Sequence, residues 1–543
     1  MNCACVYRKY PMNDMPAILV LAPLLGAFFA GLAAWIQKQL SYYIALAALA
    51  VSCFAAVSVL GDVITAGAVQ YRMAGWAPPM GIALRIDLLN AMVLVLICAI
   101  AFVNLVASVK SVAQEIPDRA PSFYVMYLLF VVGLLGVTAT GDLFNLYVLI
   151  EITSLSSYTL IALGDRDRGH LAALNYIFIG VVGASFYLLG VGYLYITTGS
   201  LNMADVAGIL KGIQGSSAVL TAFILCILGV WIKMAFFPLH VWLPNAYAFA
   251  PVGFARVVAP LMTKVMVYVM IRLMVTVFGL EYIFETLHLA DAVVWLAVIA
   301  ILAGAFMALS QTDLKKMLAY IIVCEIGYMV GGAWLGNDPG MTGAILHILN
   351  DGLMTFALFL AVGNIIYMRK QVAFSHLSGL FAAMPWTMAG FVLAGLSIIG
   401  VPPLCGFFSK WYLVLGAFEA GAYHFAAALI ISSLVCAVLF FKVFEICFFP
   451  PAAHAPGPHA PGSPLSAHAI HAAGHGSSEA ESVAKANSGA GANFGAGDHP
   501  PAGKMAEAPV SMLAPLGLVS AAIIAAGVYA GTIVNTIILP FLQ

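Results

Sequence analysis

Four ionisable residues stand near the middle of long apolar stretches: Glu151 in LFNLYVLIEITSLSSYTLI, Lys233 in ILGVWIKMAFFPLHVWLP, Lys264 in VAPLMTKVMVYVMIRL and Glu325 in MLAYIIVCEIGYMVGG. His347 and Asp351 are spaced i,i+4 and so share one face of a helix, and Lys410 follows IIGVPPLCGFFS. A charge placed in hydrocarbon costs several kcal/mol, so its default reading is functional. The set mixes acids and bases, and opposite charges a few ångströms apart keep each other ionised. That combination suits proton transfer. An amine beside a carboxylate keeps its proton, whereas one left alone in apolar surroundings gives it up far more readily, a switch open to lysine and closed to arginine. Plainer readings stand beside this one. Glu151 and Lys233 would be a static pair fixing helix packing, Lys264 and Lys410 would snorkel to the interface, Glu325 would only bond a neighbouring helix, and His240 and His347 would be satisfied core histidines.

The elements that must hold these groups are membrane helices. The 543 residues are 63% hydrophobic, and 22 Lys and Arg with 23 Asp and Glu make only 8% charged, against about 25% in soluble domains. An even charge balance leaves no basic surface for nucleic acid. The nine cysteines form no CxxC or four-cysteine cluster, so an iron–sulfur centre, a zinc site and a disulfide framework are unsupported, and no cofactor or catalytic centre is expected in this chain. About 20 apolar residues cross a bilayer, and that length predicts an all-α polytopic fold with about fourteen spans: 16–36, 41–60, 87–109, 122–140, 142–163, 171–196, 217–248, 251–278, 290–310, 314–336, 341–367, 386–413, 421–449 and 511–537. No strand pattern competes, because an open sheet edge does not survive in lipid. Residues 1–15 read as an N-terminal extension, with Met12 and Met15 as alternative starts, ahead of a first helix that is retained rather than cleaved as a signal peptide. Residues 450–510 are rich in Ala, Gly, Pro, Ser and His and hold six of the 12 histidines, a composition expected for a disordered loop in preference to a metal-binding tract; the last helix follows within 511–543. Lys38, Lys110, Arg119, Arg166, Arg168, Lys315, Lys316, Arg369 and Lys370 collect on one side of the predicted spans. The positive-inside rule makes that side cytoplasmic in a cell inner membrane, with both termini outside and the 450–510 loop inside.

Two spans carry internal breaks. Pro238 in the seventh and Pro402-Pro403 in the twelfth remove amide donors and clash with carbonyls one turn back. Freed carbonyls persist at membrane depth only where they line a cavity or are buried in protein, and each break lies close to a lysine, Lys233 or Lys410, as sites in discontinuous helices do. The breaks are five spans apart. An odd offset inverts the topology and predicts two inverted five-helix repeats, about 122–278 and 290–449.

Five stretches together resemble one known family: GDLFNLYVLIE ending in Glu151; WIKMAFFPLHVWLPNAYAFAP with Lys233; the Lys264 helix ending in Arg272; QTDLKKMLAY followed by EIGYM; and GVPPLCGFFSKW with Lys410. They are similar to the proton-conducting antiporter-like subunits of respiratory complex I and of the multisubunit Mrp cation/proton antiporters, over about residues 85–450. The resemblance implies two half-channels joined by a charged axis. In it Glu151 and Lys233 form the coupled pair of the first half, Lys264 bridges to the centre with His347 nearby, and Lys410 exchanges with the outer half-channel. GDLFNLY looks most like the D-type member of the Mrp antiporters, with the N type of complex I next. A lysine at 410 departs from the M type, and a chain ending at Gln543 leaves no room for the lateral helix of the L type. Other departures bear on the mechanism. The family's WLPDAH reads Trp242-Leu243-Pro244-Asn245-Ala246-Tyr247 here, Asp351 and Thr355 replace a histidine and a lysine of its HxxNHxxxK pattern, and Glu325 stands where histidine or glutamine is common. The resemblance then implies a central relay rewired through Glu325 and Asp351.

The expected function is that of a proton-translocating membrane subunit of an Mrp-type antiporter, working with other membrane subunits in the bilayer on protons with or without sodium. A proton-pumping arm of a complex I-like oxidoreductase is the alternative within the family. Outside it stand a lone solute transporter and a structural scaffold whose charges merely pack helices.

Overall fold

A computed structural model describes residues 14–78, 81–164, 166–449 and 507–542. The predicted extension before residue 14 and the His-rich loop from 450 to 506 lie outside the described residues. In hydrocarbon each backbone amide and carbonyl needs a partner within the protein, and a helix supplies it locally. Thirteen described helices are long and apolar enough to cross a membrane. In chain order the helices are α1 Met15–Ala33, α2 Leu40–Ala66, α3 Leu88–Glu115, α4 Ala120–Ala139, α5 Leu143–Ala162, α6 Arg166–Thr198, α7 Met203–Leu210, α8 Ser217–Met234, α9 Trp242–Phe249, α10 Val252–Arg272, α11 Ala290–Leu309, α12 Leu314–Ala333, α13 Asp338–Arg369, α14 Leu380–Ala383, α15 Pro385–Ile399, α16 Cys405–Glu419, α17 Tyr423–Phe448 and α18 Val510–Val528, followed by the short turns to Leu542. α10, α12 and α13 are buried along nearly their whole length. By contrast α1, α2, α6 and α17 carry exposed Phe28, Phe54, Phe178 and Phe441 on their outer faces.

Both predicted breaks divide a helix in two. α8 stops at Ala235, held at φ 62, and the chain re-enters helix only at Trp242; the Trp242 indole donates to the Ile232 carbonyl at the end of α8, 3.1 Å away. The predicted span 386–413 is α15 and α16, 15 residues each, or about 22 Å apiece, so neither crosses a roughly 30 Å core alone. Between them Gly400 takes φ 96, and Asn350 of α13 donates to the Cys405 carbonyl at 2.8 Å. Small residues bring the neighbouring helices close. A Cβ on Gly229 of α8 would lie 2.6 Å from the Gly183 carbonyl of α6, which fixes the helix carrying Lys233 against its neighbour.

The repeat has a local signature. Asp142 opens α5, accepting from the Asn145 amide at 2.7 Å, and Asp313 opens α12, accepting from the Lys316 amide at 3.0 Å. Each aspartate also sits in a single antiparallel bridge to the loop beyond the following helix, Asp142 opposite Asn202 and Asp313 opposite Ala373. The two openings are five spans apart, so they lie on opposite membrane faces. Replacing either aspartate with alanine removes a helix cap worth about 1 kcal/mol. The expected result is a lower thermal-unfolding midpoint in detergent for both variants, and an unchanged midpoint would show that the bridge alone holds the opening.

One feature departs from the expectation of helix alone. Val69–Arg72 pairs antiparallel with Ala83–Ile86, Val69 opposite Ile86 and Arg72 opposite Ala83. This hairpin joins α2 to α3 outside the spans, and its second strand is bridged at Leu84 to Thr140, with the Gly141 amide donating to the Ala83 carbonyl at 2.9 Å. It leads into Asp87, which caps α3 by accepting from the Leu89 and Asn90 amides and takes both arms of the Arg272 guanidinium, at 2.6 and 2.8 Å. Burial would push the Asp87 carboxyl up, but the Arg272 pair overrides it and holds the group below the usual carboxylate range.

Candidate functional site

The seven predicted residues fall into three buried pairs and one lone lysine. In the first pair the Lys233 ammonium at the end of α8 lies 3.0 Å from Glu151 Oε1 of α5 and donates to Ser154 Oγ at 2.8 Å. Lys233 is 2% exposed and Glu151 22%, so the carboxylate is the more exposed member of the pair, on the face of α5 that also carries exposed Val148 and Leu155. The break just beyond α8 places the lysine at a helix end, where the chain turns away and leaves the ammonium free to reach α5.

In the second pair Lys264 of α10 meets Asp351 Oδ2 of α13 at 2.8 Å, with both side chains inaccessible to solvent. The other Asp351 oxygen accepts from Thr355 Oγ1 at 2.6 Å, and Lys264 also donates to the Ala259 carbonyl at 3.3 Å. In the third pair His347 Nε2 lies 2.7 Å from Glu325 Oε2 of α12, while His347 Nδ1 bonds Ser409 Oγ at 2.8 Å. Ser409 has the Gly406 carbonyl at 3.3 Å as another acceptor. The neutral ring donates to Glu325 and accepts from Ser409. A doubly protonated ring donates to both while Ser409 turns its hydrogen to Gly406. Either charge state is satisfied with every heavy atom in place, which is what a relay histidine requires. Because His347 and Asp351 share one face of α13, the second and third pairs adjoin. Glu325, His347 and Asp351 are the one trio among the described residues whose ligand-type atoms lie within 4.8 Å of one another. Each has an internal partner: His347 for Glu325, Glu325 and Ser409 for His347, and Lys264 and Thr355 for Asp351.

Lys410 stands apart, with no carboxylate partner among the described residues. Its ammonium donates to the Ile398 carbonyl freed by the α15–α16 break, at 2.6 Å, and to Ser433 Oγ at 3.1 Å, and it lies 4.9 Å over the Tyr328 ring. It is buried at 7% exposure and does not snorkel. Ser409, its neighbour in the chain, is the residue that bonds His347. Pro238, Pro402 and Pro403 lie in the breaks that set Lys233 and Lys410.

Several participants are not legible in the charge pattern. Ser154, Thr355, Ser409 and Ser433 look like ordinary small helix residues. Arg256 is visible as a charge in GFARVVAP, but its place near the start of a predicted span, rather than at the middle, does not single it out. It is buried in α10, donating to the Ala107 and Leu360 carbonyls at 3.2 and 3.4 Å and to Asn364 Oδ1 at 3.0 Å. Nearby, on the Lys- and Arg-rich side, a cavity of about 1070 Å³ is lined by Glu115, Arg119, Arg168, Asp313, Lys315 and Lys370 among others.

A broken, repeated helical bundle with a buried row of acid–base pairs defines a polytopic membrane subunit of the ion-translocating type. A family model described as NADH:quinone oxidoreductase/Mrp antiporter, TM, matches residues 140–436. The chain is 43% identical over 436 residues to NADH-quinone oxidoreductase subunit N of Desulforudis audaxviator, covering 79% of this chain and 86% of that one. It is 32% identical over 448 residues to the D subunit of the Na(+)/H(+) antiporter of Alkalihalophilus pseudofirmus, covering 82% and 88%. Two solved structures, the Mrp complex from Dietzia sp. and the membrane-bound sulfane sulfur reductase, an archaeal respiratory membrane complex, each match with a TM-score of 0.81 at 25% identity, covering 97% of this chain and 96% of theirs. The chain therefore belongs to the family of membrane subunits shared by NADH:quinone oxidoreductases and Mrp antiporters.

Proposed function

We propose that the chain is the proton-translocating subunit of a multisubunit Mrp-type cation/proton antiporter of the cell inner membrane, and that protons move along Glu151, Lys233, Lys264, Asp351, His347, Glu325 and Lys410. The observation that carries this reading is the set of three acid–base pairs buried in one bundle, Glu151–Lys233, Asp351–Lys264 and Glu325–His347, with Lys410 beyond them. Moving one partner changes how firmly the other holds its proton, so a displacement at one pair biases the next. Other membrane subunits complete the complex, and sodium is the cation exchanged. The Lys- and Arg-rich side that surrounds the large cavity is cytoplasmic in this reading. A second reading, a proton-pumping arm of a complex I-like oxidoreductase, is favoured by the 43% identity to the oxidoreductase relative.

The complex, purified whole from native membrane and reconstituted in vesicles holding a pH-sensitive dye, separates the two. A sodium pulse should discharge a preformed pH difference. Proton movement that begins only when a reductant and a quinone are supplied would overturn the antiporter reading in favour of the second.

A further inference from the structure

Resting on the proton-relay reading, we infer that Arg256 is an electrostatic barrier that keeps protons in the large cavity from reaching the Lys264–Asp351 pair directly, along the seam between α3, α10 and α13. Its guanidinium is 1% exposed and keeps its charge at any physiological pH. Among the described residues no carboxylate pairs with it. Its partners are neutral, the Ala107 and Leu360 carbonyls at 3.2 and 3.4 Å and Asn364 Oδ1 at 3.0 Å, and its Nε has none. Glu115, the acid on that side, lines the cavity and accepts from the Val252 amide at 2.9 Å. A positive charge so deep, with no countercharge in contact, is costly to hold. Its physical effect is to repel other cations, as a fixed arginine does in pores that exclude protons.

Three helices agree on where the guanidinium lies. On α10 the order is Val252 at the cavity, Arg256 one turn further in, and Lys264 two turns beyond that, about 12 Å along the axis. On α13, Ile366 lines the cavity, Asn364 and Leu360 hold the guanidinium, and Asp351 meets Lys264. On α3, Glu115 lines the cavity, Ala107 holds the guanidinium, and Leu96 packs on Gly352 beside Asp351. Arg256 therefore stands between cavity and centre on all three. The bundle leaves it a fitted slot: a Cβ on Gly363 would lie 2.2 Å from its Nε and 2.3 Å from its Nη2, so glycine at 363 is what lets α13 approach so closely. A centre in lasting contact with the cavity would let protons bypass the Glu151–Lys233 pair and run down their gradient uncoupled. Arg256 closes that shortcut.

The test is passive proton leak across vesicles holding the whole complex, with a pH difference imposed, neither sodium nor reductant present, and rates normalised to intact complex. Arg256→Gln keeps an amide that can donate to the same carbonyls and removes the charge. It should leak about tenfold faster than the wild type: two unit charges about 12 Å apart, at an effective dielectric constant of about 20, repel by about 1.4 kcal/mol, one decade in rate. Arg256→Lys keeps the charge and should stay as tight as the wild type. Where glutamine impairs assembly, Arg256→Met, which fills the slot with an apolar chain, gives the same comparison. A neutral variant that assembles and leaks no faster than Arg256→Lys overturns the barrier. Adding Lys264→Met and Asp351→Leu to Arg256→Gln removes the exchangeable groups at the centre and should restore tightness, and a leak that persists in that triple variant runs elsewhere and overturns the barrier as well. None of these outcomes depends on what drives the complex. The relay reading fails separately, if Lys233→Met leaves driven proton movement intact.

Discussion

Lys233→Met in the assembled complex is expected, on the proposed antiporter function, to cut proton movement by about 100-fold or more, the loss that accompanies removal of a proton-transferring side chain, while the complex still assembles. The geometry supports both halves of that expectation. Methionine fills the volume of the lysine stem in a helix end packed by Val230, Ile232 and Met234. The partner left behind, Glu151, is the more exposed member of the pair, so the variant does not strand a fully buried charge, and Ser154 still donates to the Ile150 carbonyl at 2.8 Å. Glu151→Gln is the companion variant. It keeps a side chain of the same shape beside the ammonium and removes only the charge, so slowed transport in a normally assembled complex isolates the electrostatic coupling from packing. A scaffold whose charges only fix helices would show the opposite pattern, with reduced assembly and an undiminished rate per assembled complex. The assay is dye quenching in inverted vesicles, normalised to the amount of intact complex.

The site was unevenly legible in the sequence, for a physical reason. A charge within twenty apolar residues stands out because hydrocarbon penalises it, so Glu151, Lys233, Lys264, Glu325, His347, Asp351 and Lys410 could each be named. Their partners are a tertiary property. Lys264 and Asp351 lie on helices separated by two others in the chain, and nothing in their spacing says that their side chains meet at 2.8 Å. Neutral hydroxyls carry no such signal: Ser409 and Thr355 become notable only once His347 and Asp351 are seen against them. Pro238 and Pro402-Pro403 located the breaks, since proline acts on the backbone locally. The repeat was harder to see. Its signature is the Asp-Leu pair that opens α5 and α12, a helix cap and a bridge partner inside stretches whose other residues answer to different neighbours. The hairpin before α3 escaped because two four-residue strands are too short to set a period against so many apolar helices.

The deepest pair is where substitution should be most damaging. Asp351→Asn leaves the Lys264 ammonium, 1% exposed, with neutral acceptors alone, an amide oxygen and the Ala259 carbonyl at 3.3 Å, and no countercharge. Removing one partner of a buried ion pair costs about 3–5 kcal/mol because the remaining charge is uncompensated. A lysine can escape that penalty by shedding its proton, but then the centre no longer holds an exchangeable charge between the first pair and His347. Either outcome stops relay, so proton movement should fall by about 100-fold or more and the thermal-unfolding midpoint should drop in whatever fraction retains the charged lysine. Thr355→Val separates charge from support: it removes the hydroxyl that donates to Asp351 Oδ1 at 2.6 Å while leaving both members of the pair, and a slower yet measurable rate is expected. The double variant Lys264→Met with Asp351→Leu is the decisive control, since apolar residues of similar volume commonly replace a buried ion pair without loss of stability. It should melt at or above the wild type and carry no protons. A double variant that is stable and still transports would mean that the centre of the bundle is held together by this pair but crossed by another route.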